Sequence, residues 1–354
     1  MRTTTCVHSP QERLRQRERA ERICLRSRWR LMLCASALRT AATLLLPAAG
    51  AAAWWMTALC LAPGYVLYGL ACLALRLSGK ATLQEMLPRW AWAILRGMAL
   101  LALAAEGVAG MTALITFFTQ GVGTAGTQWT MALLTAGLLI LCLRGDGLAR
   151  GIRLMRWVLL GALALWAWGG AAHADVMLAY PLGGTGMQAL RGAFLRGSGC
   201  GWGMLLPLLQ PAPTEGRRLH EPLAPALLCV GCAALCCLTV PQEVWTQSAS
   251  LAESMLLTVG FRPGALRLIG VCLWTVALFL QLAGVVEWAA ELLHRPAGRL
   301  PVGLAFALAL TQLLPVQALW DAVGAIQPWL LTPLGLAAVC VLPALIHRMR
   351  RNRT

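Results

Sequence analysis

Four ionisable residues stand inside otherwise apolar stretches: Arg39, Glu106, Glu287 and Glu291. A charge at the centre of a membrane span costs at least ~2.5–3.5 kcal/mol, so each is a functional candidate by default. Arg39 follows Arg30 by nine residues and Glu106 follows Arg96 by ten. At 1.5 Å rise per residue they lie roughly 13 and 15 Å above those flanking arginines. Matched depth predicts a mid-membrane ion pair, or an Arg39 that holds a ligand carboxylate with Glu106 beside it. The competing expectation is that Arg39 reaches another helix's carbonyls while Glu106 is protonated and bonded locally.

Glu287 and Glu291 are one helical turn apart, close to His294 and Arg295. Glu291 reads as interfacial. Glu287 is one turn deeper and is a candidate gate or proton site, or one half of an inner-leaflet pair with an arginine. A second kind of chemistry is carried by "RGSGCGWGMLLPLLQP", where Gly197, Gly199, Gly201 and Gly203 occupy alternate positions. Glycine weakens a helix interior by about 1 kcal/mol relative to alanine. Four in seven residues therefore point to backbone groups freed to face a ligand, or to small-residue spacing that lets helices approach closely. Candidate ligand-binding residues are Arg39, Thr40, Glu106, Ser198, Gly199, Gly201 and Thr275, with Glu287 as the gating candidate.

No nucleophile triad or metal-spaced cluster appears, and no enzyme, cofactor or metal is expected. Gly183-Gly184-Thr185-Gly186 lacks the lysine of a phosphate loop. Cys60, Cys72, Cys142, Cys272 and Cys340 stand singly in apolar runs. Cys229, Cys232, Cys236 and Cys237 cluster in "LLCVGCAALCCLTV" with no histidine nearby, and read as small apolar packing residues.

The elements that position these residues follow from composition. Of 354 residues 58% are hydrophobic and only 12% charged, against about 25% charged in soluble domains. Apolar runs fall at roughly 31–48, 54–75, 91–118, 129–143, 155–172, 190–210, 223–240, 265–292, 301–318 and 325–346. Each approaches the ~20 residues that cross a bilayer. Every Lys and Arg except Arg39, Arg191, Arg196, Arg262 and Arg267 collects in the tails and in alternate connections. Positive charge marks the cytoplasmic side, so both termini are expected there, with 173–188 and 242–264 outside. The net charge of +16 is then a consequence of topology, and no nucleic-acid partner is expected. Residues 1–30 carry nine arginines, read as a basic cytoplasmic arm without a cleavable signal peptide. Residues 349–354 form a basic tail.

Ten spans divide into 31–172 and 186–346, two sets of five that must run in opposite orientation. Inverted repeats of this kind break the first helix of each set at mid-membrane, and the glycine run falls in the sixth span.

The ordered motifs "LLLPAAGAAAWW", "GKATLQEML", "RGDGLAR", "AYPLGGTG", a glycine-broken sixth span ending in proline, and "LRLIGVCLW" resemble the endospore germination permeases. These are the B subunits of germinant receptors in the amino acid–polyamine–organocation superfamily. The resemblance spans residues 27 to 348 and rests on Pro47, Trp55, Thr82 with Glu85, Arg150, Pro181, Gly186, Pro207 and Trp274. It implies a LeuT-like all-α membrane fold and other germinant-receptor subunits as partners. It further implies a small amino acid or similar nutrient as germinant, and a place in the cell membrane or spore inner membrane. The first span lacks a glycine before its proline, and apolar "LIG" replaces an acidic residue after Arg267. Both departures speak against conventional transport. An ion-coupled amino-acid transporter and a degenerate scaffold subunit are the alternative readings.

Overall fold

The computed structural model describes residues 28–78, 82–118, 128–143, 147–180, 183–209, 220–247, 257–261, 264–293 and 299–312. The basic arm up to residue 27, Asp146, Pro211, His294, Arg295, the tenth apolar run and the basic tail lie outside the described residues. All regular structure among the described residues is helical.

The first helix, α1, is α-helical over residues 28–40, π-helical over Ala41–Leu45 and α-helical again over Leu46–Ala49. Gly50 then takes φ +56, a conformation that L side chains resist, and the Gln242 side chain fills the space where a Cβ would stand. A short 3-10 turn, Gly50–Ala52, leads into α2, Ala53–Ser78. This continuous run of helical residues is a hairpin, because Trp29 at its start stacks on Tyr68 near its end with ring centroids 6.4 Å apart. The elbow is held from outside the hairpin. The Thr185 hydroxyl donates to the Ala48 carbonyl, and Gly184 packs against the Ala49 backbone.

Thr82 caps the short helix Leu83–Met86 by accepting from the Glu85 N–H at 3.3 Å. The remaining long helices are α3 (Arg89–Thr116), α4 (Gln128–Leu143) and α5 (Gly147–Ala171). The sixth, α6, is α-helical over Met187–Gly197 and continues as a 3-10 helix over Ser198–Leu209. Then come α7 (Leu223–Thr239), α8 (Gly264–Leu292) and α9 (Arg299–Thr311). The described parts of nine of the ten apolar runs fall on helices.

α2 lies against both α7 and the 3-10 half of α6, while α8 packs on α3 and α5, and α9 on α4. The apolar surface is turned outward as well as inward. Leu133 and Leu134 on α4, and Leu154, Trp157, Leu165 and Trp168 on α5, are exposed, Trp168 by 81%. Soluble monomers rarely leave such contiguous apolar area in water. Three helical stretches, Arg28–Arg76, Arg89–Thr116 and Leu266–Leu292, are long and apolar enough to cross a membrane, with mean hydropathy of 1.9, 1.9 and 2.2. The described residues form an all-helical structure suited to embedding in a bilayer.

Candidate functional site

Arg39 and Glu106 meet. Arg39, only 7% exposed, donates from Nη2 to Glu106 Oε1 at 2.6 Å. Gln281 of α8, 1% exposed, donates from Nε2 to the same oxygen at 2.6 Å. One carboxylate therefore joins α1, α3 and α8. Charge-assisted bonds of this length are roughly twice as strong as neutral ones, and two donors on one oxygen offset the desolvation of the pair. Arg39 Nε and Gln281 Oε1 are buried without a protein partner among the described residues.

Backbone irregularity surrounds this centre. The π-helical segment begins two residues after Arg39, and π turns concentrate at functional sites. Widening the helix displaces its regular ladder, and the Thr43 hydroxyl donates to the Arg39 carbonyl at 2.9 Å. On the other side, α6 changes from α to 3-10 between Gly197 and Ser198. A twelve-residue 3-10 run is unusual, since such runs seldom pass three or four residues. Between the two helices lies a cavity of about 30 Å³, lined by Met32, Ser36, Glu106, Gly199, Cys200 and Trp202 among others. It is large enough for a water and too small for an amino acid. The Trp202 indole N–H is also buried without a protein partner among the described residues.

The sequence candidates separate on this geometry. Arg39, Glu106 and Gly199 form or line the site. Thr40 is adjacent, at the start of the π segment, and makes no side-chain capping bond. Ser198 is buried at the first 3-10 position, outside the cavity lining. Gly201 faces α2: a Cβ there would lie 3.0 Å from the Leu61 carbonyl oxygen and 3.2 Å from that of Cys60. The glycine run does not leave an unwound gap. It changes helix type and, at Gly201, lets two backbones touch. The Thr275 hydroxyl donates to the Val271 carbonyl of its own helix at 2.8 Å.

Glu287 binds an arginine of the stretch that reads in sequence as a basic arm. Arg28, 4% exposed, donates to Glu287 and, from Nη2, to both oxygens of Glu291 at 3.0 and 3.1 Å. Its guanidinium carbon sits 4.9 Å from the centroid of the Trp288 ring, where cation–π attraction adds to the ion pairs. Trp29 donates its indole N–H to the Gly203 carbonyl at 2.9 Å. This end of α1 is thereby fastened to α8 and α6 at once. Glu287→Gln or Glu291→Gln alone leaves Arg28 one carboxylate and is expected to cost under about 1 kcal/mol, the scale of partly exposed pairs. The double change strands a buried guanidinium and is expected to cost about 3 kcal/mol. Unfolding in mixed micelles measures both, and an additive double variant would contradict the shared-cation geometry.

Gln281 and Arg28 are the partners of these carboxylates that the sequence does not single out. Gln281 is neutral and so escapes a search for ionisable groups. Two glutamates one turn apart near an interface are the available signal for Arg28. The cysteines of α7 are buried in its packing face, with Cys237 Sγ directed at the Gly50 carbonyl at 3.5 Å.

No family model matches the chain, and no curated protein matches it.

Proposed function

We propose that this chain is a ten-span membrane protein of permease type, built as a 5+5 inverted repeat with both termini cytoplasmic. In this reading it acts as the nutrient-binding, permease-like subunit of a germinant receptor. The observation that carries the reading is the Arg39–Glu106 pair beside the irregular segments of α1 and α6. A zwitterion matches it charge for charge. The ligand carboxylate takes Arg39, the ammonium takes Glu106, and the internal pair is exchanged for two external ones. Gln281 keeps Glu106 in place during the exchange. A 30 Å³ cavity requires α1 and α6 to part before such a ligand enters, and the latch that must open on the cytoplasmic side is the end of α1, where Trp29 binds α6 and Arg28 binds α8.

The latch also supports the second reading, an ion-coupled amino-acid transporter, because opening it alternately with the elbow would let solute cross. Thermal unfolding of the protein in lipid nanodiscs, with and without millimolar individual amino acids, tests the binding claim. At least one amino acid is expected to raise the Tm of the wild type by mass action and to leave Arg39→Gln unchanged. If none of the twenty raises it, the pocket reading fails. Uptake of the active amino acid into vesicles then separates transport from sensing.

A further inference from the structure

A second cavity, of about 480 Å³, borders a different face of α1, the one carrying Leu31, Cys34 and Leu38. Its size falls within the ~300–1,000 Å³ of ligand pockets, but its lining does not suit a nutrient. Leu38, Trp157, Leu163, Trp166 and Trp274 are typical of the walls, and Arg30 is the one charged lining residue among the described ones. A zwitterion would lose its water here and gain a single partner. The cavity follows α1 from Arg30 to Leu38 and α5 from Ile152 to Trp166, a depth of roughly 12 to 21 Å at 1.5 Å per residue. It is long, apolar and charged at one end.

The charged end can be located. Cys229 Sγ points at the Cys34 carbonyl at 3.8 Å, and Cys237 Sγ at that of Gly50. α7 therefore runs parallel to α1, and its first turn, with the lining residues Ala224 and Pro225, lies level with Arg30. The positive end of a helix dipole joins the exposed Arg30 guanidinium at one mouth. The α5 wall opens sideways, where the lining residues Trp157 and Leu160 are themselves exposed. In an embedded chain that surrounding is lipid.

We infer that this cavity binds one acyl chain of an anionic phospholipid, its headgroup on Arg30 and the first turn of α7. The second acyl chain stays in the bilayer beside α5. The site is separate from the Arg39 centre and does not depend on the nutrient-binding reading.

The test uses the full-length protein in mixed phosphatidylcholine and phosphatidylglycerol vesicles carrying a mid-chain diazirine on one lipid or the other. The phosphatidylglycerol probe is expected to label peptides containing Leu38, Trp166 and Trp274 about fivefold more than the phosphatidylcholine probe, the equivalent of ~1 kcal/mol per well-placed basic residue. Arg30→Gln is expected to abolish that preference. Ala277→Trp, which fills the cavity, is expected to remove labelling of those peptides while leaving labelling of the peptide that carries the outward Leu134 of α4. Should Arg30→Gln fail to fold, the wild-type ratio decides alone. Equal labelling by the two lipids overturns the anionic headgroup. Labelling confined to outward positions overturns the cavity, and displacement by a free fatty acid but not by phosphatidylglycerol overturns the choice of occupant.

Discussion

Replacing Arg39 with Leu is expected to destabilise the protein by about 3–5 kcal/mol, and replacing Arg39 and Glu106 together by less than that. The single change leaves a carboxylate between three helices with only the Gln281 amide to answer it. In a low-dielectric interior an unmatched charge costs more than the pair contributed. Removing both groups leaves Gln281 with a lost acceptor, a cost of about 1–3 kcal/mol for an unmade buried hydrogen bond. Gln281→Leu keeps the ion pair and removes one charge-assisted bond, so it belongs near the lower end, about 1.5–3 kcal/mol. Equilibrium unfolding of the wild type, the Arg39 and Glu106 single variants, the double variant and Gln281→Leu in mixed micelles reads the coupling directly. A double variant that loses the sum of the two singles would mean that the residues do not share a partner. Wild-type stability in Arg39→Leu would mean that the guanidinium is solvated.

How much of this centre is legible in the sequence depends on the kind of signal each residue gives. Arg39 and Glu106 stand out because a charge in an apolar run is rare, and counting helical rise from the flanking arginines fixes its depth. Gln281 gives no such signal. An amide in a 29-residue apolar helix is unremarkable until a carboxylate is found opposite it. The π-helical segment reads "AATLL", with no glycine or proline of its own, and the one local signal is Pro47 just after it, which has no N–H for the Thr43 carbonyl. The α-to-3-10 transition of α6 does begin where the glycines begin. Its consequences split, however, with Gly199 on the cavity and Gly201 on α2, because composition cannot say which glycine meets a neighbour's backbone. Arg28 is hidden for a different reason. In a string of nine arginines each looks solvated, and only the Trp288 ring and the two glutamates below it distinguish the one that is buried.

The second large effect is expected at Gly64, a residue whose importance is wholly tertiary. It follows Pro63 inside α2, and a Cβ built on it would fall on the carbonyl oxygen of Gly201, with the Gly201 carbonyl carbon and Cα also in contact. These are backbone atoms, so no rotamer change can clear them. Gly64→Ala must push α2 away from the 3-10 half of α6, its most extensive neighbour. Overpacking typically costs 1–3 kcal/mol and occasionally more; a helix-on-helix backbone collision belongs at about 3 kcal/mol or above. The glycine on the other side, Gly201, is less crowded: its Cβ would meet the Leu61 oxygen at 3.0 Å and the Gly64 nitrogen at 3.2 Å. Gly203 meets only Leu33 Cδ1, at 3.6 Å, and Gly97 meets nothing within 4 Å. Gly203→Ala keeps the carbonyl that Trp29 binds, and Gly97→Ala in α3 gains up to about 1 kcal/mol of helix propensity. The Tm values in detergent should therefore fall in the order Gly97→Ala, Gly203→Ala, Gly201→Ala, Gly64→Ala, with the last failing to give monodisperse protein. Because α6 also carries Gly199 and Trp202 into the cavity beside Glu106, the proposed amino-acid binding should weaken in Gly201→Ala in step with its loss of stability. A Gly64→Ala protein as stable as Gly97→Ala would show that α2 and α6 do not touch through their backbones, and that the glycines of α6 serve the cavity alone.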